Sequence, residues 1–398
     1  MKKYKLIITL TIILFAITSC NKELNIPSDA CNMEIPNNNE NNPKAELYQK
    51  LLDEYCAKGL PGLSLAIETP DEGLYLGTSG MADIERNIEM QTGHIHHSAS
   101  IAKSFVSAMT LLLVQEGKLD LDDLAKNYLP EDIYSNIFNA DIATIRQLLN
   151  HSSGIYTFDD NASMFVDTFN DTDGILSIEE LFENYVYGMP AYFAPGEDHH
   201  YSNTNFSLLG MIIENVSGQT LGDFMQEKII APLSLQNTYY KSSENYPNVP
   251  NLVNSYLIHF DEQLQNCTDL QRHFSNFAYG HEGVLANPND FAYFMKQLVS
   301  GNILNQELTK ELLTCKQASD EYMYGLGVFE YETDYESGYG HTGGAIGTMT
   351  YAIYFPESDV SFSICCNLGT VFYNNLSPTF YDDLLADLLK VVFMGEGA

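Results

Sequence analysis

Apolar side chains recur at helical spacing from Lys44 to Lys58, where Leu47, Leu51 and Tyr55 share one face, and this spacing predicts a helix. Two strand-like runs follow, Leu63 to Glu68 and Gly73 to Thr78. From Ser100 to Glu116 the chain is apolar nearly all round (Phe105, Val106, Met109, Leu111, Leu112, Leu113, Val114), the pattern of a helix buried in the interior. A lysine, Lys103, sits near its start. The middle of the chain, from about 120 to 310, carries mostly helical patterning broken by loops, including Ile145 to Asn150, Asn205 to Val216 and Asp290 to Val299. Strand-like runs return at Tyr324 to Tyr331, Gly347 to Phe355 and Val360 to Asn367, before an apolar helix from about Pro378 to Phe393. Strands at both ends with helices between predict an α/β (α+β) fold, its sheet assembled from distant segments and a mostly helical part inserted at the sheet edge. No internal repeat is present.

The N-terminus follows a different rule. Lys2, Lys3 and Lys5 precede an apolar stretch from Leu6 to Ile17, and Thr18-Ser19 then lead into Cys20, the order of a secretory signal. The stretch is shorter than the ~20 residues a membrane-spanning helix needs. Ile17-Thr18-Ser19-Cys20 resembles the lipobox of bacterial lipoproteins, which implies cleavage before Cys20, lipidation of that residue and a membrane anchor outside the cytoplasm. Residues 20–43 are rich in Asn and Pro and poor in large apolar side chains, so a flexible tether is expected there. The expected divisions are therefore residues 1–19 as signal, 20–43 as tether and 44–398 as the folded domain, its helical part roughly 120–310.

Composition narrows the classes of function. The chain is 45% hydrophobic with 26 Tyr and 21 Phe, enough for a large core. Its formal charge is −34, and removal of Lys2, Lys3 and Lys5 takes it to −37, a balance that repels phosphate backbones and excludes nucleic acid as a partner. Seven cysteines contain no CxxC, and Cys365 and Cys366 fall in a run that reads as a buried strand. There is no HExxH, no phosphate-binding lysine loop and no GxSxG elbow, so neither a metal nor another cofactor is expected.

Candidate chemistry rests on spacing. In Ser100-Ile101-Ala102-Lys103 a helix brings a hydroxyl and an amine onto one face, where a deprotonated Lys103 can act as base toward Ser100. Taken alone, the pair fits a capping serine and a lysine reaching for solvent. Two later triplets weigh against that reading: Tyr201-Ser202-Asn203, in a loop-to-helix passage, and His341-Thr342-Gly343, at a strand position.

That order resembles the serine β-lactamase and penicillin-binding protein superfamily, in the branch holding class C β-lactamases, DD-carboxypeptidases, D-aminopeptidases and related esterases. The likeness spans nearly the whole mature chain and includes Leu148-Leu149-Asn150-His151-Ser152-Ser153-Gly154, Pro195-Gly196, Pro232-Leu233 and Tyr324-Gly325-Leu326-Gly327. It implies a β-lactamase/transpeptidase-like fold, with an antiparallel sheet from N- and C-terminal segments flanked by helices. It further implies Ser100 as the nucleophile of an acyl-enzyme and Lys103 and Tyr201 as the proton-handling pair, each with a lowered pKa. Asn203, His341, Thr342 and Gly343 would bind substrate, and the N–H groups of Ser100 and Gly344 would form an oxyanion hole.

Two departures from that family pattern matter. Relatives usually carry a lysine where this chain has His341, whose imidazole is largely neutral at pH 7 unless a carboxylate raises it. His96-His97 stands before the nucleophile where relatives often have an aromatic and a basic residue. The first points to a serine hydrolase of D-amino-acid peptides, DD-carboxypeptidase-like and acting on peptidoglycan stem peptides. The alternatives are an esterase, a D-aminopeptidase or a β-lactamase on the same site, and last a non-catalytic binding lipoprotein. His199 and His200 read as solvent-exposed loop residues, His151 as a turn former acting through local hydrogen bonds, and Arg146 as structural.

Overall fold

A computed structural model of the chain describes residues 39–170, 176–241, 249–258, 263–318, 322–369 and 380–395, with the single positions 27, 31 and 37. The expected signal segment, Cys20 and most of the expected tether lie outside the described residues.

The N-terminal strands are β1 (Gly62–Thr69), β2 (Gly73–Asp83) and β3 (Ile88–Glu89). Short strands follow: β4 (His96–His97), β5 (Thr238–Tyr240), β6 (Tyr256–Ile258), β7 (Leu264–Asn266) and β8 (Val284–Ala286). The C-terminal part supplies β9 (Lys316–Gln317), β10 (Met323–Tyr324), β11 (Phe329–Glu332), β12 (Ser337–Ala345), β13 (Thr348–Phe355) and β14 (Val360–Cys366). Nine of them form one antiparallel sheet in the order β3-β2-β1-β14-β13-β12-β11-β10-β9, so that β1 pairs with β14 from Leu63↔Cys366 to Glu68↔Ser361. That single pairing joins the two ends of the chain, as the strand pattern predicts.

Strand periodicity separates two cores. Leu63, Leu65 and Ile67 of β1, Tyr351, Ile353 and Phe355 of β13, and Phe362 and Ile364 of β14 face the helices Ala45–Ala57 and Phe380–Met394. The alternate positions are smaller: Ser64, Ala66, Ala352 and Ser363 let the helix Pro288–Val299 lie close against β1, β13 and β14. Both faces are covered, which is why β13 and β14 are buried at every position, including the small hydroxyl residues Thr348, Thr350, Ser361 and Ser363. Beyond that helix lies the larger core, built around the helices Ala102–Gln115 and Asn203–Ser217, with the rings of Phe105 and Phe294 stacked 3.5 Å apart. Cys365 and Cys366 are buried in this sandwich as free thiols.

Two expected elements differ in detail. The run Tyr324 to Tyr331 is not one strand. The Gly325 N–H bonds back to the Val328 carbonyl at 2.8 Å and Gly327 takes φ +85°, so the chain reverses between β10 and β11. The helix expected from Ser100 begins with a 3-10 turn over Ala99–Ile101, and the α-helix proper starts at Ala102.

Candidate active site

The turn holding Ser100 is fixed against the sheet from behind. Ala99 takes φ +43°, a left-handed conformation that a side chain disfavours, and it persists because both flanks are tied down. The Thr350 hydroxyl of β13 donates to the Ser98 carbonyl at 2.9 Å. Beside it, Gly343 of β12 lies so near that an added Cβ would sit 2.2 Å from the same carbonyl oxygen. The glycine of the third triplet thus serves the close approach of β12 to the turn that holds Ser100.

Ser100 then projects into a cleft of about 730 Å³, lined also by Tyr201, Tyr322, Met323, Phe329, Tyr331, His341, Thr342 and Gly344. Lys103, wholly buried, donates from Nζ to Ser100 Oγ at 2.9 Å and to the His281 carbonyl at 3.0 Å. Burial lowers its pKa from 10.5 to about 7, against the opposing pull of Asp159 and Glu282. At neutral pH a sizeable fraction of this amine is free to accept a proton.

Tyr201 also hydrogen-bonds with Ser100, and the Lys103 ammonium lies 4.9 Å from its ring centre. Its pKa moves in the direction opposite to expectation. Burial, with Asp159 nearby, raises it well above the usual phenol value, because desolvating a phenolate costs more than the bond to Ser100 returns. Tyr201 is therefore a phenol, a donor, across the neutral range.

His341 is wholly buried, and its pKa falls to about 3 through burial and the neighbouring Lys103. Its Nδ1 lies 2.6 Å from the Thr342 carbonyl oxygen and its Nε2 3.1 Å from the Tyr324 hydroxyl. It presents no cation to the cleft, and among the described lining residues there is neither lysine nor arginine, while Glu330 and Glu332 line its edge. Thr342 donates to the Thr350 carbonyl at 3.2 Å. Asn203 starts the helix Asn203–Ser217, its N–H bonding to Thr157 Oγ1 at 3.0 Å. Its buried Oδ1 has no partner, and neither Asn203 nor Gly343 lines the cleft.

Several neighbours were not read as functional from sequence. His151 makes long-range contacts instead of the local ones expected: its Nδ1 faces the Ser202 N–H at 3.1 Å, and its ring lies 4.2 Å from that of Tyr201. Tyr324 and Phe329 frame His341, with Phe329 4.7 Å from both rings. His199 and His200 are partly buried instead of fully exposed, since His200 stacks on Tyr192 at 3.6 Å. His96 and His97 form β4 and are not among the residues lining the cleft, with His96 Nε2 3.1 Å from Ser64 Oγ. Arg146 pairs with Asp122 and Glu311, at 2.9 and 2.6 Å. The place of His151 inside Leu148-Leu149-Asn150-His151-Ser152-Ser153-Gly154, one of the segments that carry the family resemblance, is the sequence signal that points to it.

Residues 46–388 match the family described as Beta-lactamase. The chain belongs to that family. It is a serine hydrolase of the β-lactamase and penicillin-binding protein superfamily. Among curated relatives, this β-lactamase-family chain is 27% identical over 208 residues to Protein flp of Staphylococcus aureus strain N315, covering 51% of this chain and 40% of that one. It is 32% identical over 178 residues to Penicillin-binding protein 4* of Bacillus subtilis strain 168, covering 44% of this chain and 37% of that one. The matches thus span well under half the length of these relatives. Solved structures confirm the fold. The D-amino acid amidase from Ochrobactrum anthropi SV3 aligns with TM-score 0.76 at 23% identity, covering 88% of this chain and 99% of that one. The D-stereospecific amidohydrolase from Streptomyces sp. aligns with TM-score 0.73 at 24% identity and the same coverage.

Proposed function

We propose that this protein hydrolyses small amides, peptides or esters of D-amino acids through an acyl-enzyme on Ser100. The observation that carries the reading is the 2.9 Å contact between Ser100 Oγ and a wholly buried Lys103 amine that titrates at about 7. Neutral Lys103 accepts the Ser100 proton as Oγ attacks the carbonyl carbon. The N–H groups of Ser100 and Gly344 receive the developing oxyanion; one such donor is typically worth ~3 kcal/mol. Tyr201 stays protonated, hands its proton to the leaving group and is reprotonated from Lys103. Water then attacks the acyl-enzyme with the same groups in reverse.

The cleft favours the D-aminopeptidase, amidase or esterase reading over DD-carboxypeptidase or β-lactamase chemistry. Those two classes of substrate carry a carboxylate, and the cleft offers it a neutral imidazole and no lysine or arginine among its described lining residues. The likeness to a D-amino acid amidase and a D-stereospecific amidohydrolase points the same way. Intact-mass detection of a Ser100 adduct across a penicillin, an acyl-D-Ala-D-Ala peptide, a D-amino-acid amide and an activated ester tests the reading. Adducts that disappear in Ser100→Ala are expected with the last two; none with any of the four overturns it. Export and lipid anchoring through Cys20 are part of the proposal, checked by labelled-palmitate incorporation that Cys20→Ala abolishes.

A further inference from the structure

His151 belongs to the segment after the helix Ile145–Leu149, outside the three motifs, yet the whole of the Tyr201 passage is laid on it. The His200 N–H bonds to the His151 carbonyl at 3.0 Å. The Ser202 N–H, next to Tyr201, bonds to His151 Nδ1 at 3.1 Å, and Asn205 Nδ2 reaches the same nitrogen at 3.3 Å. Asn205 is itself oriented by Ser153, whose hydroxyl donates to Asn205 Oδ1 at 2.7 Å, so the amide must present Nδ2 to the ring. Two donors aimed at Nδ1 define the tautomer: Nδ1 is the acceptor and the proton is on Nε2, which is buried with no partner. The ring packs 4.2 Å from Tyr201 and 5.0 Å from Tyr324.

The backbone gives a second, independent sign. His151 is fully buried and takes φ +59°, a region a β-carbon disfavours and that Asn tolerates better than most residues. A turn alone would be served by Gly or Asn. Histidine tolerates this region along with Asn and Asp, and at this position it adds what they cannot, a ring face together with an acceptor.

We infer that His151 is the positioning residue for Tyr201: its neutral imidazole, accepting at Nδ1 from Ser202 and Asn205, sets where the phenol stands relative to Ser100. The inference rests on the reading of Ser100 as nucleophile and Tyr201 as proton carrier. It acts through Tyr201 and touches no reacting atom, so its loss lowers the acylation rate constant and leaves substrate affinity nearly unchanged.

Two variants separate the acceptor from the ring. His151→Phe keeps a ring of similar size and removes the acceptor; His151→Asn places Oδ1 near the position of Nδ1 and accommodates φ +59°. Acylation of Ser100 by an activated D-amino-acid ester is followed by stopped-flow and intact mass, with thermal unfolding in parallel. His151→Phe is expected to lose about 100-fold in kcat with KM within about threefold, as for a displaced catalytic group. His151→Asn is expected to recover at least tenfold of that loss. An H151F rate within threefold of the parent overturns the inference. So does an H151N rate no better than H151F when both unfold as cooperatively as the parent, or a loss that falls on KM alone. Absence of any Ser100 adduct in the parent protein instead removes the reading beneath it, and is distinct from all of these.

Discussion

The Tyr324 hydroxyl donates to Nε2 of His341 across 3.1 Å, because Nδ1 of that ring must carry the proton it gives to the Thr342 carbonyl. A carbonyl oxygen can only accept, so one proton and one lone pair of the imidazole are both spoken for. A second proton would turn the Tyr324 bond round and place a cation inside a buried site that already holds Lys103, which burial and that neighbour oppose. The ring therefore stays neutral, and a substrate carboxylate finds no counter-charge there. With matched acyl groups, kcat/KM is expected to be at least about tenfold higher for a D-amino-acid amide or ester than for an acyl-D-Ala-D-Ala peptide, the scale of one unpaired charge-assisted hydrogen bond. Product release measured for the pair decides it; faster turnover of the free carboxylate would sink the assignment.

The pH profile should report Lys103. In the proposed mechanism its amine serves as base only when neutral, and burial brings its pKa to about 7. Activity on an uncharged ester is thus expected to rise with pH through about 7 and level off above it. Tyr201 is raised far beyond this range, so a limb from its ionisation is not expected below pH 9. His341, His281, His96 and His97 are all held near 3 by burial and give no limb near 6.5. An acid limb that persists unchanged when the substrate is switched to one with no titrating group belongs to the enzyme; one centred at 6.5 would assign it to a histidine instead.

The same burial makes Lys103 a cost to the fold. Its folded pKa lies below the unfolded one, so the unfolded chain binds the proton more tightly. The penalty is full below about pH 7, shrinks as pH rises from there toward the ordinary lysine value, and vanishes above it. Lys103→Met keeps the volume and removes the charge, at the expense of the bond to the His281 carbonyl. It is expected to abolish Ser100 acylation while raising stability by about 1–3 kcal/mol at pH 7, with the gain fading toward pH 10. Urea unfolding of both proteins at pH 6 and 10 checks the sign; equal stability at both values would show that the amine is not desolvated in the fold.

Much of this site could be read before any coordinates. Ser100, Lys103, Tyr201 and His341, singled out by residue type and spacing, come together around one cleft. The sheet is likewise legible, since β13 and β14 are buried on both faces and their bulky residues, Tyr351, Ile353, Phe355, Phe362 and Ile364, fall at every second position. What spacing could not give is contact between distant segments. His151 bonds to residues 51 and 54 positions away, and Phe329 meets His341 only because a Gly-Leu-Gly turn folds β11 back beside β10. The direction of the Tyr201 shift was also out of reach: it depends on how far the phenol is buried, a property of the assembled core.

Phe329 lines the cleft with Ser100, near Tyr201 and His341. Its ring is 6.4 Å from Tyr201 and nearly parallel to it, and meets Tyr322 edge-on at 5.2 Å. With Tyr322, Met323 and Tyr331 it gives the cleft an apolar wall beside Ser100, suited to a large side chain on the acyl group. D-phenylalanine amide is expected to exceed D-alanine amide in kcat/KM by at least tenfold, the lower end of what an apolar pocket discriminates. Phe329→Ala should reduce that ratio at least fivefold through the phenylalanine substrate. A ratio unchanged by the substitution would place the side chain elsewhere.

Gly343 offers the sharpest test of how the fold holds the nucleophile. A methyl group there would fall 2.2 Å from the Ser98 carbonyl oxygen, 2.7 Å from Thr350 Oγ1 and 3.0 Å from Ala99 Cβ. Two of these neighbours belong to the turn that presents Ser100, and the third is the hydroxyl that pins Ser98 to the sheet. Neither β12 nor the turn can retreat freely: β12 is paired to β13 from Tyr339 to Ala345, and the turn leads into a helix packed on all sides. The methyl is therefore accommodated by shifting the nucleophile turn, the less braced of the two. Gly343→Ala is expected to destabilise by about 1–3 kcal/mol, the usual cost of overpacking, and to slow Ser100 acylation about 100-fold, as a displacement near 1 Å does. Gly117→Ala is the control. Unlike Gly343, that glycine has a positive φ, +69°, but an added Cβ would meet nothing within 4 Å, and it lies just past the far end of the helix that begins beside Ser100. It should lose about 1 kcal/mol from backbone strain and keep the parent acylation rate. If both variants lose activity only in proportion to their stability, the contact between β12 and Ser98 does not set the position of Ser100.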